Sequence, residues 1–292
     1  MIIATPFSAP VTYHGEGAVW AESWGGLRCV DMFQGDVLHF DERGIPRRHH
    51  LGTAAAMIRP AGSGKSLVAR ESDLVLWDES TDDKVAIATD LTQDGSRLNE
   101  GTCTPWGTVL IGSLKSGPLK SGPVPGGGQL MEVSAGSTRV VLPAVTVSNG
   151  IGFSPEGTRA YYADSPTHRI DVFTVTEAGD LIERRPLAEF DPAVGAPDGL
   201  WVDEQGGIWA AIFGGSRVQR ILPDGTPDVT VSVDARQVTS CTFGGPDLST
   251  LYITTSRENL DDDDDPLAGS VFHADVGVRG LPVLPYLPDA RP

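Results

Sequence analysis

Two short stretches place an oxygen-bearing side chain directly before a glycine, forty-nine positions apart. They are Asn149 in SNGIGFSPEG (148–157) and Asp198 in PDGLWVDEQG (197–206). In each, a turn ends in glycine eight positions later. Asn99 precedes Gly107 by the same eight positions, Ser240 precedes Leu248, and Glu16 reaches Gly25 with one residue added. Ala56 and Gly64 take the two places in a fainter sixth unit. Carboxylates and amides brought to one depth are hard oxygen donors, suited to a divalent cation such as Ca²⁺, Mg²⁺ or Mn²⁺. Without a cation the two carboxylates would repel. Asn and Asp also cap turns on their own account, but polar residues in register in five of six units favour a shared site.

The elements between these residues are short strands. Each turn is followed by one (LRCVDM, TVLIGSL, TRAYYADS, GIWAAIF, TLYITTS), and a hairpin partner such as GQLMEVSAG or SRVQRILPDG comes next. The units recur at intervals of about 40 to 50 residues, and helical periodicity is nearly absent. The spacing predicts an all-β, six-bladed β-propeller formed by residues 1–292 as a single domain. In such a ring the innermost strand of each blade lines a central channel. Glu16, Asn99, Asn149, Asp198 and Ser240 should therefore form a collar around it.

Composition narrows the function. The formal net charge is −17 over 292 residues, which argues against a nucleic-acid partner. No apolar run approaches the roughly 18 residues needed to span a bilayer, and the N-terminus lacks the basic start of a secretion signal. Both point to a cytoplasmic protein without a membrane partner. Cys29, Cys103 and Cys241 are too scattered for a disulfide framework or a zinc cluster and read as reduced, buried residues. The six histidines show no repeated register at the collar. AGSGKS (61–66) lacks the first glycine of a phosphate-binding loop and sits in a strand–turn–strand pattern. DDDDD (261–265) lacks the spaced ligands of a calcium-binding loop and reads as a solvated loop.

GEGAVW (15–20), RLNEG (97–101), SNGIGFSPEG (148–157), YYADS (161–165), PDGLWVDEQGGIWAA (197–211), SCTFGGPDLSTLYITTSR (240–257) and DVGVRGLPV (275–283) appear in the order of one family's motifs. Nearly the whole chain resembles the SMP-30/gluconolactonase/regucalcin-like propellers. The resemblance implies one divalent metal (Ca²⁺, Mn²⁺, Mg²⁺ or Zn²⁺) held by Glu16, Asn149 and Asp198. It implies Arg97 and Asn99 as substrate-binding residues, with Glu100 in the same segment, and hydrolysis of sugar lactones as the reaction. A small-molecule lactone is then the partner, and the chain a monomer or weak dimer. Asp198 suits the role of general base toward water.

Three departures fall on the substrate segment. Glu100 stands where the family has Asp, Lys115 follows where a carboxylate is usual, and Thr104-Pro105-Trp106-Gly107 replaces its usual turn. A phosphotriesterase of the same fold and a non-catalytic calcium- or ligand-binding propeller are the alternatives.

Overall fold

A computed structural model describes residues 2–117, 122–134, 136–261 and 263–288. Parts of the 115–128 loop (118–121) and of the acidic run (Asp262) lie outside these.

The second strands are rich in apolar and aromatic residues, as in Arg159–Asp164 and Ile208–Phe213, and tight turns lead into them. All six turn positions read from the repeat have positive φ: Gly25, Gly64, Gly107, Gly157 and Gly206, and also Leu248 at 52°. Leucine accepts that left-handed geometry at a cost of about 1–2 kcal/mol. AGSGKS forms a tight turn, Gly62–Gly64, leading into the strand Ser66–Arg70, so it cradles no phosphate at a helix start.

Four antiparallel sheets follow one another, each four-stranded and each in chain order from its first strand outward. Their first strands are Gly15–Ala21, Ala55–Pro60, Ser96–Cys103 and Ser148–Phe153. The expectation of six separate sheets needs correction. The remaining strands form one nine-stranded sheet, because Phe213 pairs with Gln237 and joins the strands from Ala196–Val202 onward to those from Gln237–Gly244 onward. The chain's beginning fastens this sheet at both edges. Ile2–Ile3 pairs in parallel with Pro227–Ser232, and Thr5–Pro6 pairs antiparallel with Val271–Asp275.

The strands Gly15–Ala21, Ala55–Pro60, Ser96–Cys103, Ser148–Phe153, Ala196–Val202 and Gln237–Gly244 pack side by side in chain order, and the last returns to the first. This closed circle is the all-β propeller ring. Apolar clusters lie between each group of strands and the next. Val30 and Val37 meet Ile58 and Trp77, Leu110 and Leu130 meet Ile151 and Phe173, and Leu38 and Phe40 meet Tyr252 and Val271. Burying these faces supplies the ring's cohesion at roughly 25 cal/mol per Å² of apolar surface.

The pairing fixes direction. Each inner strand runs away from the collar, and its partner returns, so Gly15 faces Asp31 and Ser148 faces Asp164. Loops that follow the second strands therefore stand at the collar end. The far end is crossed by residues 280–287: Leu281 N–H donates to Val202, Tyr286 N–H to Pro60 and Leu287 N–H to Gly107.

The three cysteines are free and buried as expected, and burial pushes the Cys103 thiol up to about 12. No helix of the described residues is long and apolar enough to cross a membrane.

Candidate functional site

The collar rests on a repeated irregularity. In every inner strand the ladder to its partner slips at or beside the collar position: Ala56, Asn99, Asn149 and Asp198 fall within the slip, and Glu16 and Ser240 are the paired residues at its edge. A bulge leaves a residue outside the ladder and re-aims its side chain.

The glycines after Asn149 and Asp198 follow from close packing between neighbouring inner strands. A Cβ on Gly150 would stand 2.5 Å from the Asp198 carbonyl oxygen, and one on Gly199 would stand 2.8 Å from Ser240 Oγ. The repeated Asn-Gly and Asp-Gly thus express one constraint: a polar side chain at the bulge, with no side chain where the next strand passes.

Glu16, Asn99, Asn149, Asp198 and Ser240 are all buried. Arg97 Nη1 donates to Asn99 Oδ1 at 2.6 Å, and Asn99 Nδ2 donates to Asn149 Oδ1 at 2.6 Å and to the Ser148 carbonyl at 2.9 Å. Asn149 Nδ2 donates to Ser165 Oγ at 2.7 Å, and that hydroxyl donates to the Pro197 carbonyl at 2.7 Å. The amide of Asn149 is therefore oriented from both sides, its oxygen toward Asn99 and its nitrogen toward Ser165.

The carboxylates carry the strain. Asp198 Oδ1 and Glu100 Oε2 are buried without a hydrogen-bond partner among the described residues. Burial first, then the charges of Glu16 and Glu100, hold the Asp198 carboxyl well above the usual carboxylate range, while Arg97 pulls the other way. Burial and Glu16 push Glu100 up to about 8 against the opposing charge of Arg59. Two orphan oxygens among crowded carboxylates are the surroundings a hard cation would relieve. Glu16, Asn149 and Asp198 have the right chemistry for it. Among the described residues no three His, Cys, Asp or Glu side chains are grouped to hold a metal. The expected set has only two carboxylates and takes its third donor from an amide.

The loops after the second strands add residues that the inner-strand repeat does not mark. Arg97 lies over the Phe33 ring at 5.2 Å and reaches Met32 Sδ at 3.0 Å. Tyr13 and His14 flank the same ring. His14 Nδ1 lies 2.8 Å from Ser256 Oγ and 3.6 Å from a Glu258 carboxylate oxygen, and His14 Nε2 lies 3.5 Å from Glu16 Oε1. Glu258 also acts electrostatically on both Arg97 and Asp198. Position 258 follows directly on the TTSR stretch, and Ser165 closes YYADS. Lys115 is half-buried at the end of Val109–Lys115.

Residues 14–257 match the SMP-30/Gluconolactonase/LRE-like region. The chain is 35% identical to 6-deoxy-6-sulfogluconolactonase of Pseudomonas putida, covering 91% of this chain and 92% of that one. It is 31% identical to L-arabinolactonase of Azospirillum brasilense, over 91% and 90% of the two. Among solved structures, regucalcin of Agrobacterium tumefaciens, described as a calcium-binding protein, superposes with a TM-score of 0.90 at 25% identity, covering 98% of this chain and 97% of that one.

Proposed function

This chain belongs to the SMP-30/gluconolactonase/LRE-like family, and from that membership and the collar we propose that it hydrolyses sugar or related small lactones with one divalent metal. Glu16, Asn149 and Asp198 would hold the metal. When bound, the cation supplies Lewis acidity toward a carbonyl oxygen and makes a nearby water more acidic. An oxygen-only donor set favours Ca²⁺, Mg²⁺ or Mn²⁺ over Zn²⁺. We also read the nine-stranded sheet as two blades joined at one residue pair, which makes the ring six-bladed.

Asp198 carries the reading. Its Oδ1 has no hydrogen-bond partner among the described residues, and burial beside Glu16 and Glu100 disfavours its bare charge, a cost that a bound cation would offset. In this reading Asp198 accepts the proton of a water attacking the lactone carbonyl. Arg97 and Asn99 hold the substrate, their positions fixed by Phe33, Met32 and Asn149, and supply orientation and charge stabilisation. Glu258 offers a carboxylate acceptor for a ring hydroxyl, the group that the segment at Lys115 lacks. The tail crosses the far end, which leaves the collar end as the substrate's route of entry.

A calcium-binding propeller without turnover is the second reading, favoured by the description of the Agrobacterium relative. The test is pH-stat hydrolysis of a panel of aldonolactones and unsubstituted lactones across a titration of Ca²⁺ and Mn²⁺. Metal-dependent turnover supports the hydrolase, and metal uptake without turnover of any lactone supports the binder. A phosphotriester in the same panel separates the two hydrolase classes.

A further inference from the structure

A cavity lies at the far end of the ring, away from the collar. It holds about 280 Å³ and is lined by Ile151, Phe153, Leu200, Val202, Leu284 and Arg59. Phe153 is four residues beyond Asn149 on the same strand, which at about 3.3 Å per residue places it roughly 13 Å from the collar. The lining is apolar except for Arg59, Thr102, Ser154 and Glu156, of which Glu156 is exposed to water and screened.

Arg59 is only 4% exposed. Its Nη1 donates to the Ile58 carbonyl at 2.8 Å and its Nη2 to the Gly101 carbonyl at 2.5 Å, while Nε–H has no partner among the described residues. Among the described residues it forms no ion pair. A guanidinium has five N–H donors, so three remain unplaced around a buried positive charge. Burial lowers its affinity for a proton, while Cys103 and Glu100, neither in ion-pair contact with it, act the other way more weakly. An unpaired charge removed from water is costly, and a paired, hydrogen-bonded one much less so.

We propose that this far-end cavity is a binding site for a small monocarboxylate with an apolar body, its carboxylate held by Arg59 and its body by the Ile151–Phe153 and Leu200–Val202 walls. The size suits such a ligand. A cavity of about 150 Å³ lined by Leu, Ile and Phe takes benzene, and one nearly twice as large has room for a ring with a short chain. Arginine is the side chain best matched to a carboxylate at a site of this kind. The ligand differs in kind from the hydroxylated lactone proposed for the collar, and the two sites share no residue.

The probe is 4-phenylbutyrate, with 4-phenylbutanamide as its neutral counterpart, measured by titration calorimetry on the whole chain. The acid is expected to bind at millimolar concentration or tighter, with the amide at least tenfold weaker. Arg59→Met should weaken the acid by a similar factor. Should that variant fail to fold, Leu284→Trp fills the cavity without touching the charge and should also weaken binding at least tenfold. Asp198→Ala, at the collar, should leave binding unchanged. Equal affinity for acid and amide, no binding up to about 10 mM, or loss of binding in Asp198→Ala with retention in Leu284→Trp would each overturn the assignment. The last outcome would move the ligand to the collar. None of the three bears on lactone hydrolysis.

Discussion

Asn99 Nδ2 lies 2.6 Å from Asn149 Oδ1, although fifty positions separate them in the chain. One of these residues belongs to the proposed substrate segment and the other to the proposed metal set. Their hydrogen bond makes the position of the substrate arm depend on the metal collar. Arg97, bonded in turn to Asn99 Oδ1, extends that dependence to the proposed substrate-binding guanidinium.

Substitution in this arm should therefore act on selectivity. Arg97→Ala and Glu258→Ala are expected to lower kcat/KM for hydroxylated lactones about tenfold or more, and for unsubstituted lactones much less. Both classes lose the Arg97 charge in the first variant, and the hydroxylated substrates lose hydrogen-bonding partners in both. Steady-state kinetics on four or five lactones tests this. An equal loss on both classes would mean that the two residues serve the fold or the metal instead.

Metal removal should destabilise the ring. An ion that binds only the folded state adds about 2.7 kcal/mol at 100 times its dissociation constant. Chelation is expected to lower Tm by several degrees and added Ca²⁺ or Mn²⁺ to restore it. An unchanged melting curve after metal removal verified by elemental analysis would count against the collar as a cation site.

The pH dependence of the chelated protein has a definite sign. The Glu100 carboxyl is held up to about 8 in the fold, above its unfolded value, so the folded state binds more protons between the two. Its contribution to stability is complete below the unfolded pKa and is lost as pH rises toward 8. Thermal melts should show Tm falling from pH 5 to pH 8, and Glu100→Gln should flatten the slope. A chelated protein whose Tm rises over that window would contradict the burial of Glu100 among like charges.

Close packing of neighbouring strands gives a fourth expectation. In Gly199→Ala the new Cβ would stand 2.9 Å from the Ser240 Cα and Cβ, a backbone contact that cannot swing aside. The cost should be about 1–3 kcal/mol. Gly62→Ala, with nothing within 4 Å, is the control and should change stability by less than about 0.5 kcal/mol. Denaturant unfolding of both variants separates a packing cost from a general effect of adding a methyl group.

The repeat alone makes the inner ring legible in the amino-acid sequence. Asn149 and Asp198 stand within strand bulges and Glu16 at the edge of one, and even the faint sixth unit at Ala56 falls on an inner strand with its own slip. That spacing is readable because the inner strands and their turns keep nearly one length. His14, Phe33, Ser165 and Glu258 are not readable in the same way. Three of them sit on loops after second strands, whose lengths vary from blade to blade. His14 precedes its strand and has no counterpart in the other units. The count of separate sheets is also hidden, because one bridging pair, Phe213 with Gln237, leaves no mark in a periodic pattern.

The central claim is that Asp198 both holds the metal and takes the proton. Lactone hydrolysis and bound-metal content should be measured together on the native chain and on Asp198→Ala, with folding checked by circular dichroism. The account predicts about one ion per native chain, turnover that saturates with added metal, and a folded variant with weakened metal binding and no turnover above the spontaneous rate. A folded Asp198→Ala protein that keeps its metal and its full activity would contradict it.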